Sequence, residues 1–75
     1  MMKVKVKLFA TLRENREKEM MMDLQQGATP KDIIKRLNIS QEEVAIIFLN
    51  GRSVKVDKAL EENDTVSIFP PVGGG

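Results

Sequence analysis

A chain of 75 residues, 41% hydrophobic and 31% charged, forms one small globular domain rather than a disordered or membrane-embedded segment. A domain of this length buries only about 60% of the surface its unfolded chain exposes, which leaves no room for a deep active-site cleft. The absence of Cys and His removes thiol nucleophiles, imidazole bases, the usual zinc ligand sets and any disulfide scaffold. A net charge of +1, with acids interleaved among the basic residues and three Phe as the only aromatics, argues against nucleic acid as a partner.

Lys3-Val4-Lys5-Val6-Lys7-Leu8-Phe9 alternates apolar and charged residues, which predicts a half-buried strand with Val4, Val6 and Leu8 facing inward. After a charged connection around Arg13 to Arg16, Glu17 to Leu24 reads as the return strand of a hairpin. Met20, Met22 and Leu24 share its inner face and Met21 points outward. Thr29-Pro30-Lys31-Asp32 is a helix start: Thr29 caps, Pro30 opens the first turn and Asp32 sits at the positive end of the dipole. Ile33, Ile34 and Leu37 mark one helical face, and the helix should end around Asn38. Ser40-Gln41-Glu42-Glu43 has the form of a second capping box.

The apolar run Val44 to Leu49 ends at Asn50-Gly51, a strong turn signal, and Arg52 to Val56 follows as a short strand. Asp57 is placed to cap a single turn carrying Ala59 and Leu60. Thr65 to Phe69 alternates again, with Val66 and Ile68 inward. The order β-β-α-β-β-β predicts an α+β domain over residues 1–69, a mixed sheet of four to five strands covered by one main helix. No apolar run approaches the ~20 residues that span a bilayer, and a cytoplasmic location with no membrane partner is expected.

Residues 70–75 read as a flexible tail. Pro70 and Pro71 lack N–H donors and favour extended backbone, so sheet pairing should stop there and the chain should project away. Gly73, Gly74 and Gly75 carry no Cβ and can thread a narrow slot. From the last strand, such a tail reaches roughly 20 Å, enough to carry its terminal carboxylate into a partner's active site. A bare glycine run is equally the composition of a disordered end.

Other clusters have plainer explanations. Alternation alone puts Lys3, Lys5 and Lys7 on a solvated face, and the pairs Glu42-Glu43 and Glu61-Glu62 are adjacent near turns rather than facing each other. Met20 to Met22 suits flexible core filler. The rule that buries Val66, Ile68, Ile47 and Leu49 turns Phe69 and Phe48 outward, where with Phe9 they would form an apolar patch at the base of the tail.

Lys7-Leu8-Phe9-Ala10-Thr11-Leu12-Arg13-Glu14 and Val66-Ser67-Ile68-Phe69-Pro70-Pro71-Val72-Gly73-Gly74-Gly75 resemble the two signature stretches of the MoaD family, the small sulfur-carrier subunits of molybdopterin synthase. Leu49-Asn50-Gly51-Arg52, with Val56-Asp57 and Leu60 beyond, is similar to the segment MoaD shares with the thiamine-pathway carrier ThiS. The resemblance implies a ubiquitin-like β-grasp fold. It also implies that an E1-like adenylyltransferase uses ATP to adenylate Gly75, that a sulfur-donor protein supplies the sulfur of a thiocarboxylate, and that the molybdopterin synthase large subunit consumes it. The chain itself would bind no cofactor or metal and would not be an enzyme alone.

On the same resemblance, Gly74 is the slender neighbour of Gly75, and Pro70, Pro71 and Val72 line the entrance of the partner's channel. Phe69, Phe9 and Arg13 are partner contacts, and alternation adds Phe48. Gly73 stands where the family more often has Ala, Thr or Ser. A carrier for thiamine, tungstopterin or another sulfur pathway, a protein modifier forming isopeptide bonds, and a non-covalent β-grasp module are the alternatives.

Overall fold

The computed structural model of the chain describes residues 1–71. Its strands are β1 (Met2–Leu8), β2 (Glu19–Leu24), β3 (Ile46–Leu49), β4 (Arg52–Val54) and β5 (Thr65–Phe69), with one α-helix, α1 (Pro30–Arg36). They form a single sheet in the order β2-β1-β5-β3-β4. Pairing is antiparallel except between β1 and β5, the first and last strands, which run parallel at its centre. A parallel pair needs a long crossover, and α1 lies within it. Two hairpins flanking a returning strand, packed on one helix, make the mixed α+β arrangement called the ubiquitin-like β-grasp.

Strand β1 follows its alternation without a break. Met2, Val4, Val6 and Leu8 are each 0% exposed, and Val4 and Val6 stand opposite Met22 and Met20 of β2. Met22 and Leu24 are buried and Met21 is exposed, so the methionine run divides between faces as its spacing dictates. Strand β2 starts at Glu19 rather than Glu17. The connection before it is not merely charged: Ala10–Arg13 forms a 3-10 turn that drops Leu12 into the core.

Helix α1 has seven residues, too few to persist on propensity alone, so its ends and its packing hold it. At the start, the Asp32 carboxylate accepts the Thr29 backbone N–H at 2.8 Å and the Thr29 hydroxyl at 3.3 Å. At the end, Asn38 adopts a φ of 60°. Its N–H donates to Lys35 O at 3.0 Å and that of Ile39 to Ile34 O at 2.8 Å, the paired closure that satisfies a helix's last carbonyls. Ile33, Ile34 and Ile39 join the inner residues of the sheet in one hydrophobic core. Ser40-Gln41-Glu42-Glu43 does open one 3-10 turn, Gln41–Glu43, with the Glu43 carboxylate on the Ser40 N–H at 2.9 Å.

Beyond β4 the structure departs from the capped turn expected at Asp57. Lys58 N–H bonds to Lys55 O, so Asp57 lies inside a turn and caps nothing, and β4 stops at Val54 rather than Val56. Leu60 is still 4% exposed, anchored by its N–H to Ala28 O at 2.9 Å, while Ala59 stays exposed. No helix among the described residues is long and apolar enough to cross a membrane.

The β3-β4 turn is held by side-chain chemistry. Asn50 and Gly51 have φ of 51° and 87°, both left-handed. Asn50 Oδ1 accepts the Thr65 N–H at 2.8 Å and Nδ2 donates to Asp64 Oδ1 at 2.9 Å, tying the hairpin to the start of β5. Asn50→Ala removes both bonds and forces an alanine into the left-handed region, an expected cost of about 1–3 kcal/mol. Urea unfolding should show a lower midpoint at unchanged slope; an unchanged midpoint would mean the clamp contributes nothing.

Candidate partner-binding site

Parallel pairing carries β1 and β5 to the same end of the sheet, with Leu8 beside Ile68. One residue further, the Phe9 N–H donates to Ile68 O at 3.2 Å, and from the other side the Ala45 N–H donates to Phe69 O at 2.8 Å. Pairing therefore continues to the last residue before Pro70. With Leu8 and Ile68 fixed inward, Phe9 and Phe69 fall on the face away from the helix.

The rings meet there. Phe9 and Phe69 stack with centroids 4.2 Å apart and planes within 8°, and Phe48 meets Phe69 edge-on at 5.6 Å. The Arg13 guanidinium carbon lies 5.1 Å from the centre of the Phe9 ring, and Arg13 Nε donates to Leu8 O at 2.8 Å, which orients the side chain. Each aromatic pair contributes roughly 0.5–1.5 kcal/mol beyond area burial, and an exposed cation over a ring about 0.5–1 kcal/mol. Mutual packing explains why Phe9, Phe48 and Phe69 are half-buried without belonging to the core, less open than alternation alone implied.

Ile46 was missed by the sequence reading. It is 44% exposed and directly opposite Phe69, so it extends the patch along β3. The signal was present, because the alternation that turns Phe48 outward turns Ile46 outward too. Pro70 is half-buried and Pro71 exposed. The expectations for Val72, Gly73, Gly74 and Gly75 lie outside the described residues.

A cleft of about 430 Å³ opens on the helix side of the sheet, between α1 and the β3-β4 hairpin. Ile34, Val44, Ile47, Val54 and Val56 line it, and among the described residues none of the sequence-predicted site residues does. Among the described residues no group of His, Cys, Asp or Glu is clustered to hold a metal ion. The arrangement at the end of β1 and β5 is an apolar platform edged by a guanidinium, suited to gripping a protein surface.

The sequence model of the ThiS family matches residues 6–75. No curated protein matches the chain. Among solved structures, the putative molybdopterin converting factor subunit 1 from Pyrococcus furiosus is 33% identical, with a TM-score of 0.75 over 96% of this chain and 100% of that one. SAMP1 from Haloferax volcanii is 24% identical, with a TM-score of 0.77 over 97% and 99% of the two chains. A complex of subunits 1 and 2 of the molybdopterin-converting factor from Helicobacter pylori contains a chain 24% identical, with a TM-score of 0.68 over 99% and 100%. The last two likenesses concern the fold alone.

Phe69→Lys tests the placement of the central ring. The far-ultraviolet circular dichroism spectrum and cooperative unfolding should persist, with a stability loss of about 1–2 kcal/mol from the broken ring contacts. Loss of folding would place Phe69 in the core.

Proposed function

Since this chain belongs to the ThiS family, whose members are small sulfur-carrier subunits, we propose that it carries sulfur as a thiocarboxylate on Gly75 and delivers it as the small subunit of molybdopterin synthase. The observation that carries this reading is the family match running through Gly75, joined to an aromatic platform where the tail begins. The choice of pathway is supported by the 33% identity to the Pyrococcus furiosus protein named as a molybdopterin converting factor subunit. The designation subunit 1 in that name supports a further, large subunit as the partner, and the Helicobacter pylori complex shows a chain of the same fold in such an assembly.

The chemistry follows from the carboxylate. It is a poor electrophile at neutral pH, because its charge repels nucleophiles and oxide is a hopeless leaving group. An E1-like adenylyltransferase, which binds the ATP, would join the Gly75 carboxylate to the α-phosphorus and release pyrophosphate. Sulfide-level sulfur from a donor protein then attacks the acyl carbon. The carbon–oxygen bond to AMP breaks, a carbon–sulfur bond forms, and AMP leaves with the oxygen. The thiocarboxylate is nucleophilic through sulfur and is consumed by the large subunit.

In this scheme Gly75 is the reacting residue and Gly74 the adjoining residue small enough for a narrow channel. Gly73, Val72, Pro71 and Pro70 pass through the channel entrance. Phe69, Phe9, Phe48 and Ile46 press on the partner's surface beside it, and Arg13 is available to a partner carboxylate. Chain and partner divide the work: the domain supplies grip and reach, the partners supply catalysis.

Intact mass after incubation with the cognate activating enzyme, ATP and a sulfur source should rise by the difference between one sulfur and one oxygen. Deletion of Gly74 and Gly75 should abolish that change without unfolding the domain. No mass change with any cognate activating enzyme would overturn the proposal. Reductant-resistant adducts on denaturing gels, with the mass otherwise unchanged, would make the chain a protein modifier instead.

Phe69→Lys, folded as expected above, should bind the large subunit at least about tenfold more weakly in calorimetry, since a central aromatic contact is typically worth 2 kcal/mol or more. Unchanged affinity would remove the aromatic patch from the interface.

A further inference from the structure

The lysine row on β1 is not uniform once the strands are paired. Lys7 stands directly opposite Glu19, yet Glu19 reaches diagonally to Lys5, with Oε1 3.2 Å from Nζ. No carboxylate among the described residues forms an ion pair with Lys7. Lys7 is half-buried and lies one pleat from Phe9, whereas Lys3 is exposed at the far end of the strand.

Lys7, Phe9, Arg13, Lys18 and Glu19 together line a shallow cleft of about 200 Å³. Lys18 is held there by the backbone bond between its carbonyl and the Leu8 N–H, 2.8 Å long. The Arg13 guanidinium, fixed through Nε, keeps its two terminal nitrogens without a protein acceptor among the described residues. Three cations thus face one carboxylate, and that carboxylate is already engaged by Lys5. An uncompensated positive charge beside an apolar patch is an element of recognition, because it rewards an anion placed at the patch edge and rejects a cation there.

We propose that this cleft receives a carboxylate side chain from the protein that covers the aromatic patch, with Lys7 and Lys18 as its specificity-determining contacts alongside Arg13. The proposal rests on the partner reading given above and adds the charge that partner must present. The cleft shares Phe9 with the stacked rings, so a surface seated on Phe9 and Phe69 brings its own rim over Lys7 and Lys18. Guanidinium and ammonium groups converging from different elements can hold both oxygens of one carboxylate. The site lies at a solvated edge, so its largest effect should fall on the association rate and weaken with salt.

The test uses the full chain and the cognate synthase large subunit, with association measured by stopped-flow or surface binding at low and high ionic strength. Lys7→Glu and Lys3→Glu change the net charge equally, so a long-range field effect would treat them alike. Lys7→Glu should slow association by about tenfold at low salt and the loss should shrink at high salt, as expected for a rim charge. Lys18→Glu should act in the same direction, and Lys3→Glu should change the rate by no more than about threefold, a screened distant charge.

Equal effects of Lys3→Glu and Lys7→Glu, or none from either, overturn the cleft. If Lys7→Glu binds normally while Phe69→Lys does not, the cleft is wrong and the partner reading stands. If the wild-type chain does not bind the large subunit at all, both fall. Thermal unfolding of each variant separates lost contact from lost structure: Lys3 and Lys18 are exposed and should tolerate the change, and Lys7→Glu, opposite Glu19, should lower the midpoint by several degrees at most.

Discussion

The parallel pairing of β1 with β5 is the constraint on which the rest of the structure depends. It places the first and last strands side by side in the middle of the sheet, where Val4, Val6, Leu8, Val66 and Ile68 are all 0% exposed. Its register cannot slip by one residue without exposing that set and burying the lysines of β1 and the hydroxyl-bearing Thr65 and Ser67. The same register puts Phe9 beside Phe69. Stability of the core and geometry of the outer patch are therefore set by one pairing.

The two faces of the sheet do different work. The inner face, with α1, Leu12 and Leu60 packed against it, is apolar, and no buried side-chain polar atom among the described residues lacks a partner. On the outer face, lysines, hydroxyls and carboxylates occupy most positions, and the aromatic rings gather at the end from which the chain leaves the sheet. A ring cluster half-shielded by its own members avoids much of the cost of three isolated exposed Phe while remaining an apolar surface of defined shape. In the proposed scheme catalytic chemistry is left to other proteins, and this domain contributes a base from which its glycine end is presented.

Much of the fold was legible because local signals and global packing agree in this chain. The alternations of β1 and β5, the Thr29-Pro30-Asp32 helix start, the Ser40 to Glu43 box and the Asn50-Gly51 turn each appear where the residues imply. The failures are tertiary. Leu12 is one apolar residue in a charged stretch, and only the 3-10 turn after Phe9 shows that it points inward. Leu60 is buried through a backbone bond to Ala28, distant in sequence, and no capping signal at Asp57 could report that. Alternation told that Phe48 and Phe69 face outward. It could not tell that β5 lies between β1 and β3, and that neighbourhood is what stacks Phe69 on Phe9 and brings Ile46 to the edge of the patch. The Lys7 imbalance likewise needs the register of β1 against β2.

In the proposed scheme the Gly75 carboxylate is a substrate that the domain presents to other proteins. Trapping with hydroxylamine tests it most directly: the chain is incubated with the cognate activating enzyme and ATP, without a sulfur source, and the product is mapped by tandem mass spectrometry. An acyl adenylate on the terminal carboxylate would lose AMP to hydroxylamine and leave a hydroxamate on Gly75 and nowhere else. A hydroxamate on an internal Asp or Glu, or no ATP-dependent product at all, would contradict the account.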